Sequence, residues 1–443
     1  MIELDKTYDY IVVGSGPGGA TVAKELADGT RRVLLVESGP RLTKTGLLAS
    51  SQAFAGKDGK LVKSDGGIPI GRGRVLGGSS YVAMGNAPTP PTSILEEWGI
   101  DLSTQLADAR SDLRVGLMPT DLMGEATKRI TQAASSLGWE MKPTPKCVDF
   151  SKCRACGLCM YGCPTNAKWT ALEFVDEAVA NRADLLLETK ATRVLVQEGR
   201  AIGIEAIHKG NTIELRGDTV VVSAGALETP RILQNTGIPH AGTGLALDVF
   251  QGTYGYTQDI GMQREIILAT YLEAHIEEKE LFAAPYMYAP YTLARSTDSR
   301  APARLSLPFE VKTLVRSQFF RAKRLIGMMT KIRDEMTGEV QNDGTVRKTL
   351  TQRDREKLEE AHQINKQILV AAGADPDTVF RGVCESGHPC CTAAMGRVLD
   401  ENQETEIKGL FVSDASVFPS PLGMPPILTI VALSKRLARH LLS

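Results

Sequence analysis

One short run of cysteines has residue types and spacing that could do chemistry. Cys153, Cys156, Cys159 and Cys163 follow the pattern Cys-x2-Cys-x2-Cys-x3-Cys-Pro. Bacterial ferredoxins bind [4Fe–4S] clusters with this spacing, and the irons of such clusters take soft thiolate ligands. Zinc ribbons instead need two separated cysteine pairs, which this compact run does not have. The run therefore predicts a [4Fe–4S] cluster that would carry single electrons, with zinc or unligated thiols as the alternatives.

The fourth ligand of such a cluster is left open by the sequence. In ferredoxins with two clusters, the cysteine before the proline binds the other cluster. Because this sequence has no second run, Cys147 competes with Cys163 for the place, and Cys384 is a more distant candidate. The two remaining cysteines, Cys390 and Cys391, are interpreted as small buried residues rather than reactive thiols.

A glycine-rich segment near the N-terminus could bind a dinucleotide. Residues 14–19 fit the pattern G-x-G-x-x-G between a buried strand at 10–13 and a helix at 20–27. The first glycine permits a tight turn, the second lets the backbone approach a pyrophosphate, and the third lets helix and strand pack closely. Glu37 ends a second strand at 33–36, where an acid binds ribose hydroxyls. These features predict a βαβ dinucleotide site without choosing between FAD and NAD.

Further segments favour FAD, because they are similar to the signatures of a known family. Residues 73–80, 225–238 and 412–419 resemble two signatures and the C-terminal flavin-contacting segment of the glucose–methanol–choline (GMC) oxidoreductases. Residues 387–396 resemble the family's His-Pro-x-Gly-Thr-x-x-Met-Gly segment. The sequence thus looks like an iron–sulfur-bearing member of this family. The resemblance implies an elongated FAD whose isoalloxazine lies near the residues that follow Gly78.

The resemblance also implies that FAD is bound without a covalent link. The family usually has Asn or His where Ala83 stands, and nothing nearby replaces that side chain unless Asn86 does. The residues expected to contact FAD lie in the motif segments and are Gly14, Gly16, Pro17, Gly18, Gly19, Glu37, Ser38, Gly73, Arg74, Gly77, Gly78, Ser79, Ala224, Asp414 and Ala415.

The catalytic base that the resemblance implies is His388. Oxidation of an alcohol removes the hydroxyl proton as hydride leaves the carbon, and an imidazole with a pKa near neutrality suits that proton transfer. The alternative is a histidine that only forms a hydrogen bond in a buried turn. The family's second polar side chain falls at Pro425, which can neither donate nor accept through its side chain. Either one histidine suffices, or another segment supplies the second polar group, or the reaction differs.

The whole chain predicts an α/β fold with a Rossmann-like FAD-binding domain of the GMC type. A smaller, β-rich α+β substrate domain and a ferredoxin-like cysteine loop complete it. The expected division is an FAD-binding domain at 1–145, 171–242 and 381–443, the last part with the active-site histidine, a cysteine loop at 146–170 and a substrate domain at 243–380. Periodicity predicts helical structure over 105–140, helices at Gln352–Ala372 and Ile427–Leu442, and a hairpin over Thr192–Leu215.

Composition narrows the class of protein and its partners. The chain of 443 residues is 42% hydrophobic and has a net charge of −1, so nucleic acid is not an expected partner. No run reaches the roughly 18 apolar residues of a membrane span, and the polar start leaves no room for a signal peptide. These features predict a cytoplasmic protein. The basic and apolar residues that alternate between 312 and 325 predict a solvated surface helix, a peripheral membrane contact or a dock for an acidic carrier or partner subunit.

The leading functional hypothesis is an FAD-dependent dehydrogenase acting on the CH–OH group of a small-molecule alcohol. Electrons would leave the flavin through the [4Fe–4S] cluster to an external acceptor such as ferredoxin or a quinone. One alternative is a ferredoxin-driven flavin reductase of a carbonyl or an alkene. Another is a flavoprotein electron-transfer subunit in which His388 is structural. The alcohol itself is not specified, because the stretch from 245 to 380 is the least similar to the family.

Overall fold

A computed structural model describes most of the chain, namely residues 6–43, 46, 53, 62–262, 265–272, 280–287 and 324–443. The basic segment that the sequence predicts as a surface helix falls almost wholly at 312–323, outside the described residues. Within the described ranges, no helix is both long enough and apolar enough to cross a membrane.

The first sheet contains the N-terminal strand and, in the described part of the chain, six more. Numbered in chain order, they are β1 (Thr7–Val13), β2 (Val33–Val36), β8 (Asp184–Leu186), β9 (Thr189–Gln197), β10 (Arg200–His208), β11 (Asn211–Val222) and β20 (Leu410–Val412). The order is β8-β2-β1-β11-β10-β9, with β20 beside β11. The strands β8, β2, β1, β11 and β20 run parallel, and β2 is buried along its whole length, as expected of a parallel strand.

The second sheet is antiparallel throughout. Its strands are β6 (Met141–Pro143), β13 (Phe250–Tyr256), β14 (Thr270–Leu272), β15 (Leu281–Pro285), β16 (Leu325–Ile332) and β19 (Phe380–Glu385), in the order β19-β13-β16-β15-β14-β6. Every residue of β15 and β16 is buried. The sheet therefore draws a strand from 141–143, well before the substrate-domain boundary that the sequence suggests at 243.

Short strands form three small ribbons beside the two sheets. They are β3 (Val62–Lys63) with β4 (Pro69–Ile70), β5 (Val115–Leu117) with β7 (Pro145–Cys147), and β12 (Thr243–Leu245) with β17 (Gly338–Val340) and β18 (Val346–Arg347). The pairing of β5 with β7 fixes the start of the cysteine loop.

The helices of the described ranges pack around the two sheets. They are α1 (Pro17–Leu26), α2 (Thr92–Trp98), α3 (Ser103–Asp112), α4 (Glu125–Ser136), α5 (Leu172–Ala180), α6 (Thr229–Thr236), α7 (Gln352–Ala371) and α8 (Ile427–Leu442). The closing helix α8 packs against α1 and α3, and Lys435 joins them through Glu25 at 2.6 Å and Asp112 at 2.7 Å. Helix α7 begins in a capping box at Thr351 and packs on the second sheet.

Most of the local predictions are confirmed, and one is partly wrong. The βαβ unit, the hairpin that turns at Lys209–Gly210, and the helices α7 and α8 lie where the sequence predicts them. The expected helical stretch over 105–140 instead breaks into α3 and α4, with β5 between them. Gly116 and Pro119 lie in this interval and disfavour helix, and Arg114 adopts a left-handed backbone with φ 52°.

Candidate active site and cofactor site

The glycine-rich turn lies at the carboxyl ends of three parallel strands. A Cβ on Gly14 would lie 2.2 Å from the carbonyl oxygen of Ser223, which follows β11, and one on Gly18 would lie 1.8 Å from that of Ser413, which follows β20. Gly14 also has a φ of +97°. Gly16 differs, because a Cβ there would meet nothing within 4 Å. The turn is thus packed tightly except at the glycine that should approach a pyrophosphate, which fits a dinucleotide.

The segment 73–80 packs directly on this turn. A Cβ on Gly78 would lie 2.8 Å from the Cα of Gly16. The backbone N–H of Gly77 donates a hydrogen bond to the Oγ of Ser15 at 3.0 Å. Gly73 in turn packs against Gly78, because a Cβ on Gly73 would lie 2.7 Å from the carbonyl oxygen of Gly78. Two motifs that are far apart in the sequence therefore form one surface.

Glu37 fixes the geometry between the turn and the end of β2. Its carboxylate accepts hydrogen bonds from the N–H and the Oγ of Ser15, at 3.0 and 2.6 Å, and from the N–H of Gly39 at 2.6 Å. The hydroxyl of Ser38 donates a further bond at 3.2 Å. The carboxylate is buried, so these donors offset its loss of solvation.

Asp414 joins the motif segment near residue 225 to its own segment near the C-terminus. Its Oδ2 accepts hydrogen bonds from the N–H of Gly225 at 2.8 Å and from the hydroxyl of Thr229 at 2.6 Å. Its Oδ1 accepts from the N–H of Ser416 at 2.8 Å. The N–H of Ala224 donates to the Oγ1 of Thr229 at 3.0 Å. The segments 224–229 and 414–417 are therefore held against each other beside the glycine-rich turn.

His388 lies in the loop after β19, and backbone hydrogen bonds tie this loop to segment 414–417. The N–H groups of Cys391, Ala393 and Met395 donate to the carbonyls of the successive residues 415, 416 and 417 at 3.1, 2.9 and 3.0 Å. The His388 side chain is 28% exposed, but its Nδ1 is buried and has no hydrogen-bond partner. Burial and the nearby Lys331 ammonium hold the pKa of His388 well below its ordinary value.

Two charged groups beside His388 were not predicted from the sequence. The carboxylate oxygen Oδ2 of Asp248 lies 3.8 Å from His388 Nδ1, and its Oδ1 accepts from the N–H of Gly423 at 3.0 Å. The ammonium of Lys331 donates to the backbone carbonyl of Asp248 at 2.8 Å. Burial is the main cause that raises the pKa of Asp248, to about 7. A charged residue within the apolar run 245–249 was the signal that could have revealed this site.

Asn86, the sequence's candidate replacement for the residue missing at Ala83, is engaged elsewhere. Its Oδ1 accepts a hydrogen bond from the ammonium of Lys146. Pro425 is buried, as the resemblance would require of a residue in the site. Cys390 and Cys391 are buried free thiols, in agreement with their interpretation as packing residues.

The four cysteines of the ferredoxin-like run line one cavity. The cavity wall contains Cys153, Cys156, Cys159 and Cys163, while Cys147 is not part of it. The side chains of Cys163 and Thr165 form a hydrogen bond of 3.4 Å between Sγ and Oγ1. Across the described ranges, no three Cys, His, Asp or Glu side chains are grouped so that they could hold a metal ion.

Cys147 and Cys384 lie apart from that cavity. Cys147 ends β7, is fully buried, and its thiol donates to the carbonyl of Gly85 at 3.2 Å. Burial raises the pKa of Cys147 to about 11. Cys384 lies on β19 in the second sheet, where burial likewise raises the pKa of its thiol to about 11.

Two buried lysines connect the cysteine cavity to the segment that follows Gly78. The ammonium of Lys168 donates to the carbonyls of residues 80, 81 and 83 at 2.9, 2.8 and 2.6 Å. The ammonium of Lys146 donates to Asn86 and, at 3.2 Å, to the carbonyl of Ile267. Both lysines also line the cavity, and burial lowers the pKa of each to about 8. The two lysines thus join the lining of the cavity to the segment 80–86.

Comparison with known proteins identifies the class to which this fold and site belong. Family models described as GMC oxidoreductase match residues 8–250 and 315–434. The chain therefore belongs to the GMC oxidoreductase family. Members of this family are FAD-dependent enzymes that act on CH–OH groups, and this chain is an enzyme of that class.

Individual relatives agree with this assignment. The chain is 28% identical to an uncharacterized GMC-type oxidoreductase of Mycobacterium tuberculosis, covering 97% of this chain and 75% of the relative. It is 28% identical to an uncharacterized protein of Methanocaldococcus jannaschii, covering 98% and 100%. A long-chain-alcohol oxidase of Arabidopsis thaliana is 26% identical over 95% of this chain, which spans 65% of that protein.

Solved structures show the same fold. Pyridoxine 4-oxidase from Mesorbium loti superposes with a TM-score of 0.72 at 17% identity, covering 98% of this chain and 99% of the other. A formate oxidase superposes with a TM-score of 0.74 at 15% identity, covering 99% and 98%. Identities this low establish the architecture alone.

Proposed function

We propose that this protein oxidises the CH–OH group of an alcohol, with His388 as the base that takes the hydroxyl proton. The observation that carries the proposal is the set of three backbone hydrogen bonds that join the loop of His388 to segment 414–417. That segment also contacts the glycine-rich turn through Gly18. A reactive imidazole is thereby positioned next to the motifs expected to bind FAD. Among the relatives, the plant protein is named for oxidising long-chain alcohols, which supports an alcohol as the substrate class.

The residues that would hold FAD are those of the four converging motifs. The open backbone at Gly16 and the N-terminus of α1 suit the pyrophosphate, and Glu37 and Ser38 suit the adenosine ribose. The segment that follows Gly78 would border the isoalloxazine, and Asp414 and Ala415 would close the site from the C-terminal side. When bound, FAD supplies the acceptor for the hydride that leaves the alcohol carbon. The FAD-binding parts of the chain are then 1–145, 171–242 and 381–443, with the substrate domain at 243–380.

Two alanine substitutions in the glycine-rich turn separate cofactor binding from folding. Gly16→Ala places a Cβ in open space, so the apoprotein should melt at the wild-type temperature while its affinity for FAD falls about tenfold or more, which is ~1.4 kcal/mol. Gly18→Ala forces a Cβ against a backbone carbonyl and should cost about 1–3 kcal/mol of folding free energy through overpacking. Thermal unfolding of the apoproteins and titration with FAD measure both effects. Equal FAD affinity in Gly16→Ala and wild type would contradict the site.

We further propose that the cysteine run binds a [4Fe–4S] cluster, with Cys153, Cys156, Cys159 and Cys163 as its ligands. Four thiols around one cavity suit a cluster, since each iron of the cube takes one thiolate. A zinc ion instead needs all its thiolates about 2.3 Å from a single point, whereas a cube distributes its four thiolates over four irons. The hydrogen bond between the sulfur of Cys163 and the hydroxyl of Thr165 is of the kind that tunes such clusters. When bound, the cluster supplies one-electron transfer, which suits ferredoxin or a quinone as the acceptor.

The segment 80–86 connects the two proposed sites. Lys168, which lines the cavity, donates to three carbonyls of this segment, and Gly162 packs so closely on Tyr81 that a Cβ would lie 2.6 Å from its ring. The lining of the cysteine cavity and the flavin-side segment are therefore in contact through the Lys168 side chain and through Tyr81. A cluster in the cavity would lie next to the flavin rather than at a remote surface.

An anaerobic screen of alcohols tests the proposed function. The purified protein should be yellow-brown and release about one FAD per chain on acid treatment, and at least one primary or secondary alcohol should bleach the flavin absorbance without a partner protein. Polyols, long-chain alcohols and ring-bearing alcohols form the panel. If no alcohol bleaches the flavin while reduced ferredoxin drives carbonyl or alkene reduction, the reverse reaction is the function. A flavin that responds to neither would indicate an electron-transfer subunit.

A further inference from the structure

His388 needs a partner that its own segment does not supply. Its Nδ1 is buried without a hydrogen bond, which is costly for a ring nitrogen and unusual in a native protein. The side chain is 28% exposed, but Nδ1 is not one of its exposed atoms. The buried edge must therefore be satisfied from inside the protein, and Pro425, where the family has a polar side chain, cannot do so.

Asp248 is the acidic group that faces this edge. Its carboxylate oxygen Oδ2 lies 3.8 Å from His388 Nδ1, about 1 Å beyond hydrogen-bond distance. Contacts of this kind are often long before substrate is bound and tighten in the complex. We propose that Asp248 is the positioning residue of His388 and fixes its imidazole as the Nδ1–H tautomer, so that the lone pair of Nε2 is free to accept the proton.

The surroundings of Asp248 hold it for this role. Its backbone has a φ of 48°, a left-handed conformation that a non-glycine residue keeps only when its surroundings fix it. The ammonium of Lys331 binds its carbonyl at 2.8 Å, and the N–H of Gly423 binds its Oδ1 at 3.0 Å. Gly423 lies two residues before Pro425. Asp248 is thus anchored to the segment in which the second polar side chain is missing.

Asp334, a second buried carboxylate whose charge acts on Asp248, is already paired. Asp334 forms an ion pair with Lys348 at 2.7 Å, with both side chains fully buried, and it also accepts from the N–H of Leu247 at 3.1 Å. Neither member of that pair is available to His388. Oδ2 of Asp248 is able to accept a hydrogen bond from the imidazole, because the N–H of Gly423 binds Oδ1.

The Asp248→Asn variant tests the proposal, because it should reverse the tautomer of His388. The N–H of Gly423 requires an acceptor, so the Asn oxygen should take the place of Oδ1 and the NH₂ group should face His388 Nδ1. A donor at that position should reverse the tautomer to Nε2–H and remove the lone pair that accepts the proton. This inference rests on the proposed function for its kinetic part, but the tautomer can be measured without any turnover.

The measurement is ¹⁵N NMR of histidine-labelled protein at a pH above 7, where the Asp248 carboxylate is ionised, with His388→Gln used to assign the signal among the six histidines. We expect the Nδ1–H form in wild type, the Nε2–H form in Asp248→Asn, and a fall of about 10²-fold or more in the maximal rate of flavin reduction, with a smaller change in the alcohol concentration for half-maximal rate. An Nε2–H signal in the wild type overturns the proposal and needs no variant. An unchanged tautomer and rate in a folded Asp248→Asn protein also overturn it.

Asp354→Asn is the matched control. Asp354 is another fully buried carboxylate that accepts backbone N–H bonds, from Thr351 at 3.0 Å and Glu335 at 3.1 Å, at the start of α7. Its loss should lower thermal stability and leave the His388 tautomer and the reduction rate unchanged. A control that reverses the tautomer would contradict the specific role of Asp248. If the tautomers behave as expected but no alcohol reduces the wild-type flavin, the proposed function fails and the positioning contact stands.

Discussion

The His388→Ala variant is expected to reduce its flavin with alcohol about 10²- to 10⁴-fold more slowly than the wild type, the usual contribution of a positioned general base. The physical reason is that the neighbouring carboxylate, Asp248, is buried and so cannot replace the imidazole as the base. FAD content should stay normal, because the hydrogen bonds that join the loop to segment 414–417 use backbone atoms. Anaerobic stopped-flow absorbance measures the rate.

The pH dependence gives this prediction a second readout. Burial and the ammonium of Lys331 keep the pKa of His388 below 6.5, so the imidazole is neutral and able to accept a proton at neutral pH. Protonation of His388 itself should therefore cause no loss of rate as the pH falls through 6.5, whereas protonation of the Asp248 carboxylate, whose pKa is raised to about 7, should lower the rate as the pH falls through 7.

His208→Ala is the control for the histidine substitution. The ring of His208, at the end of β10, forms a hydrogen bond of 2.7 Å with the side chain of Thr189 at the start of β9. It should leave flavin reduction unchanged. A reduction rate in His388→Ala equal to that of wild type would assign His388 a structural role and favour an electron-transfer subunit.

The parts of the site that could be predicted are those in which a short stretch of sequence carries its own physical reason. The turn at 14–19 must be glycine-rich because neighbouring carbonyls occupy the space of a Cβ at Gly14 and Gly18. Val33–Val36 reads as a buried parallel strand because it is uniformly apolar, and it is one. The four-cysteine run is equally local, so its convergence on a single cavity follows from spacing alone.

What could not be predicted depends on contacts between residues far apart in the chain. Asp248 and His388 lie far apart in the chain, and only the fold brings the carboxylate to the buried edge of the ring. Lys146 and Lys168 read as ordinary charged residues beside cysteines, yet both are buried and donate to segment 80–86. A buried lysine is identified by its acceptors, and these acceptors, which are backbone carbonyls and the side-chain oxygen of Asn86, are not marked by any sequence pattern.

Replacing Cys153, Cys156 or Cys159 by serine is expected to abolish cluster binding altogether. Each thiol lines the same cavity, and loss of one ligand from a four-thiolate site leaves one iron without its soft ligand. Bound iron and the broad visible absorption should disappear, while FAD remains. Reduction of the flavin by alcohol should survive, and transfer to a one-electron acceptor should fall to background. Anaerobically purified wild-type protein that contains zinc and no iron would overturn the proposal.

The fourth ligand is decided by comparing Cys163→Ser with Cys147→Ser, which are the same substitution at the two competing positions. Cys163 lines the cavity and its sulfur forms a hydrogen bond with the hydroxyl of Thr165, whereas the Cys147 thiol is directed to the carbonyl of Gly85. We therefore expect Cys163→Ser to lose the iron and Cys147→Ser to keep it, with a loss of stability in the latter of about 1 kcal/mol from the buried polar hydroxyl. Iron analysis and the visible spectrum of both proteins, purified without oxygen, measure the outcome. Retention of iron in Cys163→Ser together with its loss in Cys147→Ser would place the fourth ligand on β7. The segment at residues 85–86, which the Cys147 thiol contacts, would then have to move when the cluster is bound.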